Sequence, residues 1–250
     1  MYPNEKSLFM SIPYPRPFFD TLEQTCAFYK QCQIESQENV IRHWLNVCLD
    51  GTKIILPDYA IAEYGYALRF LYEYRGSEAT FKAYRLEIDR FMQWSWLIQQ
   101  KSLLALKRLD IEDFIEFCQK PPKRWINLKT VSRFRTKEGS RVPNSEWRPF
   151  TVTISKKAFQ EGERPEKVSF ELSQQGIKQI FAILSSFYNA LIQEEVTEIN
   201  PILQIRQKSK FIQKQANTPI IRRLSDQQWK AVLDAATELA QENPVLSHVF

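Results

Sequence analysis

Apolar residues recur at helical spacing along most of this chain, and the breaks in that rhythm mark where helices stop. The opening is different: Pro13, Pro15 and Pro17 predict an extended stretch with no regular helix before Pro17. Asp20 then stands as the cap of a helix through about Gln33, with Leu22, Cys26 and Tyr29 on one side. Val40, Ile41, Trp44, Val47 and Cys48 predict a second helix from about Gln37 to Leu49, stopped by Gly51. Pro57-Asp58 opens a third, reaching about Tyr74 and carrying Tyr59, Tyr64, Tyr66, Phe70, Tyr72 and Tyr74. So many rings fit a helix buried on more than one face better than a base-stacking platform. Ser77 is an N-cap for Phe81, Tyr84, Ile88, Phe91 and Met92, a pattern that runs to about Ile98. Asp110 caps the next helix, whose stripe is Ile111, Phe114, Ile115 and Cys118 and whose end is Pro121-Pro122.

The rhythm then changes. Residues 121–165 hold prolines, glycines and many cations with no helical period. Phe150 to Ser155 and Lys167 to Leu172 alternate apolar and polar, which predicts the two strands of a small β-hairpin with a long basic loop. Ser173 caps the clearest helix, with Ile177, Ile180, Phe181, Leu184, Phe187, Tyr188, Leu191 and Ile192 on its core stripe, and Asn200-Pro201 stops it. Residues 206–218 lack large periodic apolars and are polar and basic, as a linker is. Ser225 and Gln228 form a capping box, and Trp229, Val232, Leu233 and Ala236 carry that helix to about Gln241. The fold class expected is mainly α: a helical bundle with a basic, β-hairpin-containing insertion.

Composition narrows the function. With 250 residues, 44% hydrophobic and 25% charged, the chain is sized for one large domain or two small ones and is not disordered throughout. Its longest greasy stretch, Phe181 to Ile192, is interrupted by serines and too short to span a bilayer, and no apolar signal core opens the sequence. Cys26, Cys32, Cys48 and Cys118 are irregularly spaced, which argues against a disulfide framework and for a reducing, cytoplasmic setting. Six glycines form neither phosphate-binding glycine motif, and His43 and His248 begin no zinc motif. No metal or cofactor is expected, and no nucleophile–base–orienter set can be assembled for an isolated hydrolase.

Charge changes the picture more. The net charge is only +5, but residues 120–165 carry a net +8 and residues 206–223 a net +6 with no carboxylate at all. Basic blocks of this kind set up a local positive potential whose commonest target is a nucleic-acid backbone. Arg206, Lys208, Lys210, Lys214, Arg222 and Arg223 make one group of candidate phosphate contacts. Arg133, Arg135, Lys137 and Arg141 belong to the other, interleaved with Trp125, Phe134 and Trp147.

Several short motifs also fall in a recognisable order. Ser77-x-x-Thr80-x-x-Ala83-Tyr84 with Ile88, Phe91 and Trp94 resembles the opening helix of the core-binding domain of tyrosine recombinases, the phage-integrase family. Leu109-Asp110-Ile111-x-x-Phe114-Ile115 resembles the next helix, and Leu172-Ser173-x-x-Gly176-Ile177-Lys178 with Leu184-Ser185-x-Phe187-Tyr188 the one after. Asn200-Pro201 is similar to the family's closing pair, and Leu224-Ser225-x-x-Gln228 to the opening of its catalytic domain. Gly176 stands where the family usually has threonine.

The resemblance implies a site-specific recombinase whose core-binding half clamps duplex DNA and which self-associates on it. By that analogy Ser77, Thr80, Lys82, Arg85, Gln174, Gln175 and Lys178 sit near the DNA. It divides the chain into an N-terminal extension (1–57), a core-binding domain (58–205) containing the insertion 121–165, a basic linker (206–223) and the start of a truncated catalytic domain (224–250). The family's catalytic arginines, histidines and tyrosine find no counterparts here, so the expectation is a fragment that binds DNA without cutting it. Two other readings stay open: an α-helical protein-interaction module built on helices 58–74 and 177–192, and a single-strand or RNA binder using the aromatic-basic insertion.

Overall fold

In a computed structural model of the chain, residues 12–152, 154, 159–162, 164–206, 208–212 and 225–242 are described. The fold is mainly helical, and contacts divide it into two units, residues 1–212 and 213–250. In the first unit lie α1 (Leu22–Ile34), α2 (Gln37–Leu49), α3 (Tyr59–Glu73), α4 (Glu78–Trp94), α5 (Arg108–Gln119) and α6 (Gln174–Gln193). The second contains α7 (Asp226–Glu242).

The helices form where apolar periodicity and capping residues agree. Ser77 and Ser173 accept from the amides of Thr80 and Gly176, as expected of N-caps. The reciprocal box at Ser225 is present too, Ser225 N–H donating to Gln228 Oε1 and Gln228 N–H to Ser225 Oγ. Two caps differ from the sequence expectation. Thr21, not Asp20, caps α1, because the Asp20 carboxylate is drawn into an ion pair with Arg141. Asp110 lies inside the first turn of α5, where its Oδ2 accepts the amide of Lys107 at 2.8 Å. The α4 pattern also changes character before Ile98: after Trp94 the chain widens into a π-turn over Ser95–Gln99 and leaves it through Gln100 at φ 53°.

The core is aromatic. Phe91, Trp94 and Phe114 meet with centroids 5.0 and 5.1 Å apart, and Phe70 packs edge-on to Phe187 at 5.2 Å. Each buried ring of this kind stabilises the fold by roughly 1.5–3 kcal/mol. Helices α1 and α2 share this core with the later helices, so residues 12–57 are part of the same unit as the bundle.

The proline-rich arm before α1 threads through the core in extended form. Its prolines lack N–H groups and it joins no sheet, so side chains satisfy its carbonyls. Trp44 Nε1 and the Tyr64 hydroxyl donate to Phe18 O, Trp125 Nε1 to Pro13 O, Arg133 to Phe19 O, Arg85 to Asp20 O and Arg124 to Ile12 O. Two of its amides are met as well, Arg16 N–H by Gln93 and Phe18 N–H by Asp89.

The insertion folds differently from the sequence expectation. The hairpin is β2 (Phe134–Lys137) against β3 (Ser140–Pro143), antiparallel with Lys137 opposite Ser140. β1 (Ile126–Asn127) pairs in parallel with β4 (Phe150–Thr151), and Lys167–Ser169 is a 3-10 turn rather than a strand. The alternation at 167–172 misleads because Val168 faces solvent. The signal that marks the true hairpin is Glu138-Gly139, whose φ of 51° and 80° suits a two-residue turn with both central residues left-handed. Gly139→Val is expected to cost about 1–2 kcal/mol, read as a lower urea midpoint. Trp125, Phe134, Trp147 and Phe150 are buried, so the insertion's aromatics anchor it to the bundle.

The segment expected to begin the linker at residue 206 is held against the first unit as far as Ile212. Phe211 is buried with its ring 6.2 Å from Phe181, which ties the start of the basic stretch to α6. Among the described residues no helix is long and apolar enough to cross a membrane, and no group of three His, Cys, Asp or Glu side chains is arranged to hold a metal. Cys32, Cys48 and Cys118 are buried thiols whose pKa burial pushes up, to about 11 for Cys32.

Candidate nucleic-acid interface

The candidate cations separate into three that serve the interior and several that face solvent. Arg133 lies inside: its guanidinium pairs with the wholly buried Asp89, donates to Phe19 O at 2.9 Å and stacks 4.3 Å from the Trp147 centroid. Arg141 makes a two-pronged ion pair with Asp20, at 2.6 and 2.8 Å. Arg85 points into the arm, its carbon 5.4 Å from the Phe81 ring, and burial lowers its pKa. These three guanidiniums fasten the arm and the hairpin to α4.

At the start of α4, Ser77 Oγ is 2.9 Å from Thr80 Oγ1, so both hydroxyls are occupied in the cap. Lys82 is exposed and pairs with Glu78 one turn back, a hydrogen bond that lowers the Glu78 carboxyl pKa. At the start of α6, Gln174 is half-buried and Gln175 and Lys178 are exposed. Leu172 folds over this first turn: a Cβ at Gly176 would stand 2.9 Å from Leu172 Cδ1 and 3.3 Å from Ser173 Oγ. A larger residue there would therefore have to displace the tip of Leu172.

The tertiary structure brings the α6 cation to the basic segment. Lys178 and Lys208 line one groove of about 790 Å³, together with Tyr74, Ser185, Asn189 and Gln193. Lys208 Nζ lies 5.4 Å from the Phe181 centroid, so the Phe181 ring holds it beside the groove. Arg206 and Lys210 line a second cavity of about 630 Å³ with Arg108. There Glu112 pairs with Arg108, and Lys210 stands 3.5 Å from both Glu112 and Glu116. Arg206 has no carboxylate partner among the described residues.

Arg135 and Lys137 are exposed on β2, away from that group, Lys137 3.9 Å from Glu138. They share a cavity of about 490 Å³ with Arg16. Lys214, Arg222 and Arg223 lie outside the described residues. Arg108 and Arg16 join the cationic surfaces although the sequence did not single them out. Arg108 is hidden by the acidic stretch that follows it, and Arg16 stands alone between prolines, so neither registers in a block-by-block charge count.

Comparison with family models, with curated proteins and with solved structures gives no match for this chain.

Proposed function

We propose that this chain binds duplex DNA with α6 and the basic segment that follows it, as the core-binding half of a tyrosine recombinase clamp. The observation that carries the reading is the joint placement of Lys178 and Lys208 on one groove, with Arg206 on the adjoining surface. Among the described residues Lys178, Lys208 and Arg206 have no carboxylate partner, with Glu73 the acidic residue on the first groove. Helix and segment thereby present positive charge on neighbouring surfaces, which is what a phosphate backbone requires. The order of the recombinase-like motifs supports the same reading. In this proposal the chain supplies binding and register. Strand cleavage by a tyrosine nucleophile is assigned to no residue named here.

The test is duplex binding by fluorescence anisotropy across a salt series. Each phosphate contact contributes about 0.9 to the slope of log affinity against log salt. The variant Lys178→Gln/Arg206→Gln/Lys208→Gln is expected to make that slope shallower by roughly 2–3, with similar losses on unrelated duplex sequences. An unchanged slope would remove these cations from the interface, and absence of duplex binding at low salt would end the recombinase reading.

One observation favours a protein partner at the same place: Phe70 of α3, Tyr74 at its end and Phe181 of α6 also line the groove. Duplex competition separates the two, since a protein docked there is displaced by DNA only if the groove serves both.

A further inference from the structure

The arm side of the first unit carries a second cationic surface, built from residues that the duplex proposal does not use. The extended arm brings Tyr14 to the surface, where the residue is 54% exposed. The guanidinium carbons of Arg124 and Arg148 lie 5.2 and 4.8 Å from its centroid. Neither guanidinium is held by a carboxylate among the described residues. Arg124 donates to Ile12 O, and Arg148 to Ser145 O and Trp147 O at 2.7 and 2.6 Å. Backbone carbonyls therefore fix both groups in place without pairing their charge, although Glu146 lies near enough to act on Arg148.

Arg16 extends this surface. It lines the cavity of about 530 Å³ that also contains Tyr14 and Arg124, and the neighbouring one of about 490 Å³ that contains Arg135 and Lys137. Its buried Nε has no hydrogen-bond partner among the described residues. Asp50 on the second cavity, Glu138 3.9 Å from Lys137 and Glu146 near Arg148 are countercharges along this path. The result is a cationic track across arm and hairpin with a ring and two guanidinium planes at one end.

Such an end is wasted on a duplex, whose bases are stacked inside. A single strand exposes both base faces and its phosphates together, and bases stack on aromatic rings and on guanidinium planes alike. We infer that this face binds a single-stranded nucleic acid, with a base stacked at Tyr14, Arg124 and Arg148 and the backbone running over Arg16, Arg135 and Lys137. The site is independent of the duplex surface on α6.

The test uses the full chain with labelled oligothymidylate and oligouridylate of about 12 nucleotides, within the ~4–16 nucleotide footprints of single-strand binders. Tyr14→Leu keeps an apolar side chain and is expected to weaken single-strand binding about tenfold while leaving duplex binding unchanged. Arg135→Gln/Lys137→Gln removes two exposed cations and is expected to make the single-strand salt slope shallower by about 1.4, at ~0.7 per phosphate. Ultraviolet crosslinking of a bromodeoxyuridine probe is expected to mark the peptide containing Tyr14. Preference for the deoxy or the ribo strand identifies the source, and either supports the site. Absence of single-strand binding at low salt, or equal affinity for wild type and Tyr14→Leu, overturns it. Because the α6 cations are intact in these variants, duplex binding reports separately on the recombinase proposal.

Discussion

Arg133→Ala is expected to lower the unfolding free energy by about 3–5 kcal/mol, the usual cost of stranding one partner of a buried ion pair. The partner is Asp89, wholly buried in α4. Asp89 already accepts from Phe18 N–H and from Gln93 Nε2, so its carboxylate organises the arm as well as the helix. Without the guanidinium, that charge stays in the core with two neutral donors and no counter-ion. Phe19 O and one face of Trp147 lose their partner in the same step. Urea denaturation measures the effect. The combined Arg133→Ala/Asp89→Ala variant is expected to lose less than the sum of the two single changes, since both break one interaction. If Arg133 were a surface phosphate contact, its removal would leave the urea midpoint in place and make the duplex salt slope shallower by about one. A shift below about 1 kcal/mol would overturn the buried-pair account.

Glu63→Ala is expected to cost about 3–5 kcal/mol by a different route, since it orphans several donors at once. Glu63 lies on α3, 2% exposed, and accepts from Trp96 Nε1, Ser102 Oγ and Leu103 N–H. These bonds pin the π-turn and the segment after it to α3. The Ser102 hydroxyl can turn toward another acceptor, but the indole and the amide cannot. Burial raises the Glu63 pKa above its usual 4.5, opposed by those same hydrogen bonds. A carboxyl with a raised folded pKa contributes stability that is present below the ordinary carboxylate range. That contribution is lost as pH climbs through the raised value. Glu63→Gln removes the titration while keeping the shape. The stability of the wild type relative to Glu63→Gln is therefore expected to fall as pH rises above 4.5. A difference independent of pH would show that Glu63 titrates alike in the folded and unfolded chain, and would overturn the raised value.

The helices were legible because a helix is a local object. A serine three residues before an orphan amide, and an apolar residue every third or fourth position, act over one or two turns. The order Ser77, Ser173 and Ser225 could therefore be read directly from the chain. Caps that compete for long-range partners were not legible in the same way. Asp20 has the chemistry of an N-cap, but Arg141 lies 121 residues away in sequence and takes its carboxylate. The hairpin was misplaced for a related reason. Alternation is a weak sign over six residues, whereas the Glu138-Gly139 turn is set by backbone sterics.

Of the candidate site, the sequence determined which segments are rich in positive charge, and with that the class of partner to consider. Only the tertiary structure decided which of those charges remain available. Arg133 and Arg135 are two residues apart on the same basic stretch, yet one is paired in the core and the other faces solvent. A charge count weighs them equally. The cost of desolvating a guanidinium, and the buried carboxylate and carbonyls that offset it, depend on residues some 44 to 114 positions distant in the chain. The joining of Lys178 to Lys208 and of Tyr14 to Arg124 and Arg148 has the same origin: packing of the arm, the insertion and α6 onto one aromatic core brings distant residues together.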